Sequence, residues 1–306
     1  MQSEKLYVIT TIFNPIGYNS RYTLYNKFKK YIEYSGAELV TIELIFGDEK
    51  EFAVTSYDNP LNIQLRVGQA LWHKENLINI AVEHLPKDAK YIAWIDADVT
   101  FTNTDWVQDT ISELKKHEFI QMFTHAYDLN KNHEVFQTHI GFIYAFNEKL
   151  FIDDTLTVAH EGIKGNGHPG YAWASTLDGF KKVGGLIDFA ILGSADNNMA
   201  FAMVGDVHKS TGSHTSKGYT DKLIEWQNKF TSNIKSVGYL NSSLMHYWHG
   251  SKKNRGYQWR WKILIDNDYN PQTDLIKNND GLILLKNKPQ MVEQIFDYFK
   301  SRAEDE

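Results

Sequence analysis

Three short β-branched and aromatic runs, separated by two helical patterns, fill the first hundred residues, and that alternation leaves few architectures open. Leu6–Phe13 (LYVITTIF), Glu38–Phe46 (ELVTIELIF) and Tyr91–Ile95 (YIAWI) read as buried strands. Between the first two, Asn19 or Ser20 can cap a helix with apolar positions at Leu24, Phe28, Tyr31 and Ile32, closed by Gly36. Between the second and third, Leu71, Ile78, Ala81 and Leu85 mark a helix that Pro86 stops. Strands and helices in this order imply parallel βαβ units and an α/β fold. Such sheets bind ligands beyond the carboxyl ends of their strands, where the strand order reverses. Asn14, Asp48 and Asp96 each stand just past a strand end.

Beyond residue 106 the pattern is less regular. Trp106–His117 reads as a helix, Phe119–Phe123 and His139–Phe146 as strands, and Leu177–Val183 as a short helix. Four glycines in GIKGNGHPG, residues 162–170, mark a loop. Near the end, Val292, Ile295, Phe296 and Phe299 share one face of a helix over Pro289–Arg302, expected to pack on the body. With no internal repeat and no low-complexity linker, a single continuous domain is expected.

Composition narrows the chemistry. A chain of 306 residues with 42% apolar types can bury a sizeable core. A formal charge of −6 argues against a surface dominated by polyanion binding. The absence of cysteine excludes disulfides, thiolate metal sites, Fe–S clusters and a cysteine nucleophile. The start, MQSEKLYVITTIF, lacks a leader-like pattern, and no stretch reaches the roughly 18–20 apolar residues of a membrane span. The expected setting is cytoplasmic, bacterial or viral.

Asp96-Ala97-Asp98 is the central chemical signal. Two carboxylates at i and i+2 beyond a buried strand can reach one hard cation, Mn²⁺ or Mg²⁺, which in turn can bind a nucleotide's pyrophosphate. A second such pair, Asp266/Asp268, has no strand delivering it and reads as a solvated turn. His246 and His249, three apart, can turn both imidazoles to one side and suit borderline metals. Gly250–Ile265 carries Lys252, Lys253, Arg255, Arg260 and Lys262 without an acid, interleaved with Tyr257, Trp259 and Trp261. That run fits a solvated face, a diphosphate clamp at Lys252 or Lys253, or a site for an anionic acceptor such as nucleic acid. His168, Tyr171 and Trp173 are acceptor-site candidates or core residues. Asp196 is either a reactive carboxylate or the N-cap of a helix over Asn197–Met203.

Four segments in order resemble the GT-A nucleotide-sugar glycosyltransferases, in particular the beta-1,4-galactosyltransferase-like group. They are LWHKENLIN, KYIAWIDADVTF, GYAWASTLDGFKKVGGLIDFAILGSADNNMA and MHYWHGSKKN, within roughly residues 5–260. The resemblance implies a mixed sheet flanked by helices. It divides the chain into a glycosyltransferase domain over 1–265, nucleotide-binding to 105 and acceptor- and metal-binding after it, with a helical extension over 266–306. It implies a UDP-sugar donor contacted by Thr10, Asn14, Asp48, Arg66, Trp72, Lys74, Asp96 and Lys252. The metal falls to Asp96, Asp98, His249 and His246, and the general base of an inverting transfer to Asp196. The chain departs from the family's frequent Glu-Asp pair by having Ala195-Asp196. The acceptor is open among a glycan, a small molecule and a modified nucleic acid. A nucleotidyltransferase is the rival, disfavoured because Ile12–Asn19 holds a single glycine, Gly17. With Asp98 and His249 151 residues apart and Gly250 beside the latter, the histidine is expected to join the metal only on closure of the C-terminal segment.

Overall fold

The computed structural model describes residues 4–47, 50–211, 215–257 and 259–306. The first elements form where the apolar periodicity places them. β1 is Leu6–Phe13, α1 Asn19–Ser35, β2 Glu38–Phe46, β3 Asn62–Val67, α2 Lys74–Glu83 and β4 Tyr91–Ile95. Gly36 ends α1 with φ +80°, a conformation nearly free of cost only for glycine. Neither Asn19 nor Ser20 caps α1 with its own side chain. Their backbone N–H groups donate to the Asp305 carboxylate, at 2.9 and 2.8 Å, so the far end of the chain supplies the cap. The second helix begins at Lys74 rather than Leu71, because the Trp72 N–H is bonded to the Ile191 carbonyl and Trp72 stays outside it.

The rest of the chain adds β5 (Val99–Phe101), α3 (Trp106–Leu114), β6 (Phe119–Gln121), β7 (His125–Leu129), β8 (Val135–Ile140), α4 (Phe142–Asn147), β9 (Thr157–His160) and β10 (Ile163–Asn166). It continues with β11 (Ala172–Thr176), α5 (Leu177–Val183), α6 (Ala195–Met203), α7 (Lys217–Asn233), β12 (Val237–Tyr239) and β13 (Ser243–His246). Last come α8 (Trp261–Asp266), α9 (Pro271–Asp274), β14 (Leu275–Lys277), β15 (Ile283–Leu285) and α10 (Pro289–Ser301). Two expectations are corrected. The apolar run after His139 is not one strand: β8 stops at Ile140 and Phe142–Asn147 is helical. The turn falls at Gly141, where an added Cβ would lie 2.6 Å from the Phe123 carbonyl oxygen. Short apolar runs do not by themselves separate helix from strand. The glycine-rich segment is also not all loop, since Ile163–Asn166 pairs antiparallel with Thr157–His160.

The main sheet has seven strands in the order β12-β6-β11-β4-β1-β2-β3. β1 to β4 run parallel, while β11 lies antiparallel to both neighbours, so the sheet is mixed. Side chains alternate between two cores, as a strand period of two requires. Tyr7, Ile9, Ile92 and Trp94 face α2, α5, α6, α7 and α10, whereas Leu6, Val8, Tyr91 and Ala93 face α1 and α3. With helices on both faces, both sides of β1 and β4 are dry, which explains their continuous apolar sequence. The strand order reverses between β1 and β4, so their carboxyl ends frame the expected ligand crevice.

A second sheet, β5-β13-β7-β8, stands beside that crevice. Its register places Val99 opposite His246, His246 beside Asp128, and Asp128 opposite Gln137. The C-terminal residues return across the same region. Ala303 donates its N–H to the Tyr18 hydroxyl at 3.0 Å, and the Glu304 carboxylate takes Arg21 at 2.6 and 2.8 Å. α10 buries Met291, Ile295, Tyr298 and Phe299, each large apolar side chain contributing about 1.5–3 kcal/mol. No helix of the described residues is long and apolar enough to cross a membrane.

Candidate metal centre and active site

A cavity of about 670 Å³ opens where β1 and β4 end. Asp98, leading into β5, His246, at the end of β13, and His249, in the following loop, meet on its wall. The Asp98 Oδ2 lies 2.9 Å from His249 Nε2 and 3.7 Å from His246 Nε2, the latter an ion-pair rather than hydrogen-bond distance. One ligand atom from each of the three falls within 4.8 Å of the others, the one such group among the described residues. The second oxygen, Asp98 Oδ1, is buried and accepts no hydrogen bond. A buried carboxylate with one orphaned oxygen and two imidazoles against the other fits a divalent cation, and a set with two nitrogens suits Mn²⁺ better than Mg²⁺.

The electrostatics of Asp98 and His249 agree with that use, while at His246 burial is outweighed by Asp98 and Asp128, which pull the ring upward in the absence of a cation. Burial pushes the Asp98 carboxyl up, but His246 and His249 outweigh it and hold Asp98 well below the usual carboxylate range. Burial and the Arg255 guanidinium, whose Nη2 lies 2.8 Å from His249 Nε2, bring His249 down to about 4 against the pull of Asp98. Its imidazole is therefore neutral near pH 7, the form a metal ligand requires. The structure also corrects the closure expectation. His249 already stands against Asp98, and Gly250 lies under the C-terminal residues, an added Cβ meeting the Glu304 Cα at 2.9 Å.

The two carboxylates of the Asp96/Asp98 pair divide their work. Asp96 does not join the histidines. Its Oδ1 meets the Lys74 ammonium at the start of α2. Burial disfavours that ammonium, but Asp96, Glu75 and Asp196 together hold it above its ordinary range. Lys74 thus remains charged at the cavity wall.

Asp196 lies in the first turn of α6 and also faces the cavity. It is not the N-cap, a position Ser194 occupies with φ +74°. A Cβ added at Gly170 would sit 2.8 Å from Asp196 Oδ2 and 3.1 Å from His168 Cε1, so only glycine leaves the carboxylate its place. Gly170→Ala should lower kcat by about 10–10²-fold through displacement of Asp196. Steady-state kinetics beside a thermal melt tests this: a loss of melting temperature with kcat intact would contradict it.

Glu75, next to Lys74 and 5% exposed, lines the cavity, although no motif or spacing singles it out. Burial, opposed by Lys74 and assisted by Asp196, raises its carboxyl to about 8. The folded protein therefore holds a proton that the unfolded chain releases above its ordinary value of 4.5. Stability from this group is complete below that value and is lost as pH rises toward about 8. Glu75→Gln should melt at a temperature that exceeds wild type increasingly over this window, then by a constant margin. A pH-independent difference would overturn the assignment.

Arginines complete the wall. Arg255 and Arg260 come from the basic aromatic run, and each has a buried Nε without a hydrogen-bond partner. Arg302, tied to Glu304 at 2.5 Å, lies with its guanidinium 5.4 Å over the Trp72 ring. Arg302 and Glu304 went unread because nothing local links the last five residues to a site built near β1. Asp128 was likewise missed: it is a lone acid in the strand HAYDL, 1% exposed, and only the register of β7 against β13 reveals it.

Of the other residues read from sequence, Trp72, His168 and Tyr171 line the cavity, with His168 stacked on Tyr171 at 4.0 Å. Five do not reach it. Thr10 donates its hydroxyl to the Ile95 carbonyl, and Asn14 builds the turn after β1 by accepting from Gly17 and Tyr18. Arg66, exposed on the edge strand β3, donates to the Lys50 carbonyl. Trp173 is core, its Nε1 donating to the Pro169 carbonyl. Lys252 directs its ammonium at Asp128 and Gln137 instead of the cavity. Asp48 lies outside the described residues.

No family model matches the chain, and no curated protein matches it. Among solved structures, the chain is similar to the catalytic domain of Drosophila beta1,4-galactosyltransferase 7 in complex with xylobiose, at TM-score 0.42 and 10% identity over 96% of this chain and 99% of that one. A mutant of that enzyme with manganese, UDP-Gal and xylobiose gives TM-score 0.41 and 11% identity over the same shares. The 4-diphosphocytidyl-2C-methyl-D-erythritol synthase of Anaerococcus prevotii gives 0.34 and 11%, over 78% of this chain and 89% of that one. At scores this low the likenesses carry no argument.

Proposed function

We propose that the chain is a metal-dependent glycosyltransferase of the GT-A kind, moving a sugar from a nucleoside-diphosphate donor, UDP favoured, to an acceptor hydroxyl. The observation that carries this reading is one cavity that unites Asp98, His246 and His249 with a cationic wall and the carboxylate of Asp196. Asp98, His246 and His249 hold the metal, Mn²⁺ in preference to Mg²⁺. Bound there, the ion supplies positive charge to the departing diphosphate. Lys74, Arg255 and Arg260 add fixed charge for the phosphates, their arginine forks suited to bidentate contact.

Asp196 takes the proton of the acceptor hydroxyl as its oxygen bonds to the anomeric carbon. The bond from that carbon to the diphosphate breaks, its electron pair leaving with the phosphate oxygen, and the sugar inverts. His168, beside Asp196 and stacked on Tyr171, forms the acceptor wall. The acceptor is a glycan, a small molecule or a modified nucleic acid.

Incubation with a nucleotide-sugar panel, with and without Mn²⁺, followed by mass spectrometry, tests the reading. Mn²⁺-dependent release of a nucleoside diphosphate with a sugar-bearing product is expected. Release of pyrophosphate from a nucleoside triphosphate and a sugar phosphate would overturn it in favour of a nucleotidyltransferase.

A further inference from the structure

Asp128 lies behind the metal centre, with no part in the chemistry described above. Four donors converge on its carboxylate. His246 Nδ1 and the Tyr171 hydroxyl reach Oδ1, each at 2.7 Å, while His139 Nε2 at 2.8 Å and the Lys252 ammonium reach Oδ2. An ionised carboxylate offers about four lone-pair sites, so this one is filled. Asp128 accepts hydrogen bonds only, and the ring nitrogen facing it must therefore be the protonated Nδ1 of His246. In the neutral ring that a metal requires, this puts the lone pair on Nε2, which lies on the side of Asp98 and His249. The Tyr171 ring, 4.6 Å from His246, fixes the plane of the imidazole. Parallel pairing of β7 and β13 supplies the backbone reason, since it seats Asp128 and His246 as lateral neighbours.

We propose that Asp128 is the positioning residue of the metal centre: it selects the His246 tautomer and aims Nε2 at the cation, with Tyr171, His139 and Lys252 fixing the carboxylate in turn. The proposal rests on the metal-centre reading above. Carboxylates that hold a ligating histidine this way are commonly worth 10–100-fold in metal affinity. An amide at position 128 retains one acceptor oxygen but turns donors toward His139 and Lys252, so it cannot satisfy the same four partners.

Calorimetric titration with Mn²⁺ alone, arranged as a double-mutant cycle, tests this. Asp128→Asn should weaken Mn²⁺ binding by about 10–100-fold. In a His246→Gln background the same change should shift affinity by less than about twofold, because Asp128 acts through that ring. Unchanged affinity in the single variant, or equal losses in both backgrounds, would overturn the proposal. Wild type that binds no Mn²⁺ would instead overturn the metal-centre reading. Should Asp128→Asn fail to fold, nitrogen-15 NMR of the Zn²⁺-loaded wild type decides the matter. His246 must carry its proton on Nδ1, and the opposite tautomer refutes the role given to Asp128.

Discussion

Asp98→Asn should lower kcat/KM by about 10³-fold, some 4 kcal/mol of transition-state stabilisation, and remove saturable Mn²⁺ binding. The amide keeps the shape of the side chain but loses the charge opposite two imidazoles. His246 and His249 alone would then face the cation without an anionic partner. The fold should survive, because the Asp98 backbone carbonyl still accepts from the Tyr247 N–H and the side chain lies past β4 rather than in a core. Kinetics, Mn²⁺ calorimetry and a melting curve on one preparation check all three points. Full activity with Mn²⁺ binding intact would remove the metal centre from the account.

Asp196→Asn should behave differently. If the carboxylate accepts the acceptor proton, kcat falls by about 10²–10⁴-fold while Mn²⁺ and UDP affinities stay near wild type. The amide can still accept from the Asn197 N–H, a bond now 2.8 Å long, so the first turn of α6 keeps its local support. The separation matters because Asp98 and Asp196 share a cavity and a simple loss of activity would not tell them apart. A variant that loses nucleotide affinity but turns over normally at saturation would show Asp196 to be a donor contact instead.

The β1–α1–β2 unit and β4 were legible because each strand is buried on both faces and each helix carries a single apolar stripe. Those strands also delivered Asp96 and Asp98 to the correct edge. The short strands escaped. β3 is an edge with Asn62, Gln64 and Arg66 along it, and β5 has three residues, too few for a period to show. β11, antiparallel in the middle of the sheet, could not be foreseen from βαβ logic alone.

The division between Asp96 and Asp98 was equally hidden, since spacing of two does not say which acid meets Lys74 and which meets the histidines. Lys252 misled for a related reason. Its position two residues past Gly250 suits a phosphate clamp, but the buried charge of Asp128 captures it, and Asp128 is 124 residues away. Contacts of this range are set by strand register, not by local pattern.

Anomalous diffraction at the manganese edge, from crystals grown with Mn²⁺ and UDP, tests the central claim most directly. The account predicts one strong peak within ligating distance of an Asp98 carboxylate oxygen, His246 Nε2 and His249 Nε2, with Asp96 still on Lys74. A peak held by Asp96 without the two histidines, or no peak in this cavity while UDP is bound, would contradict it.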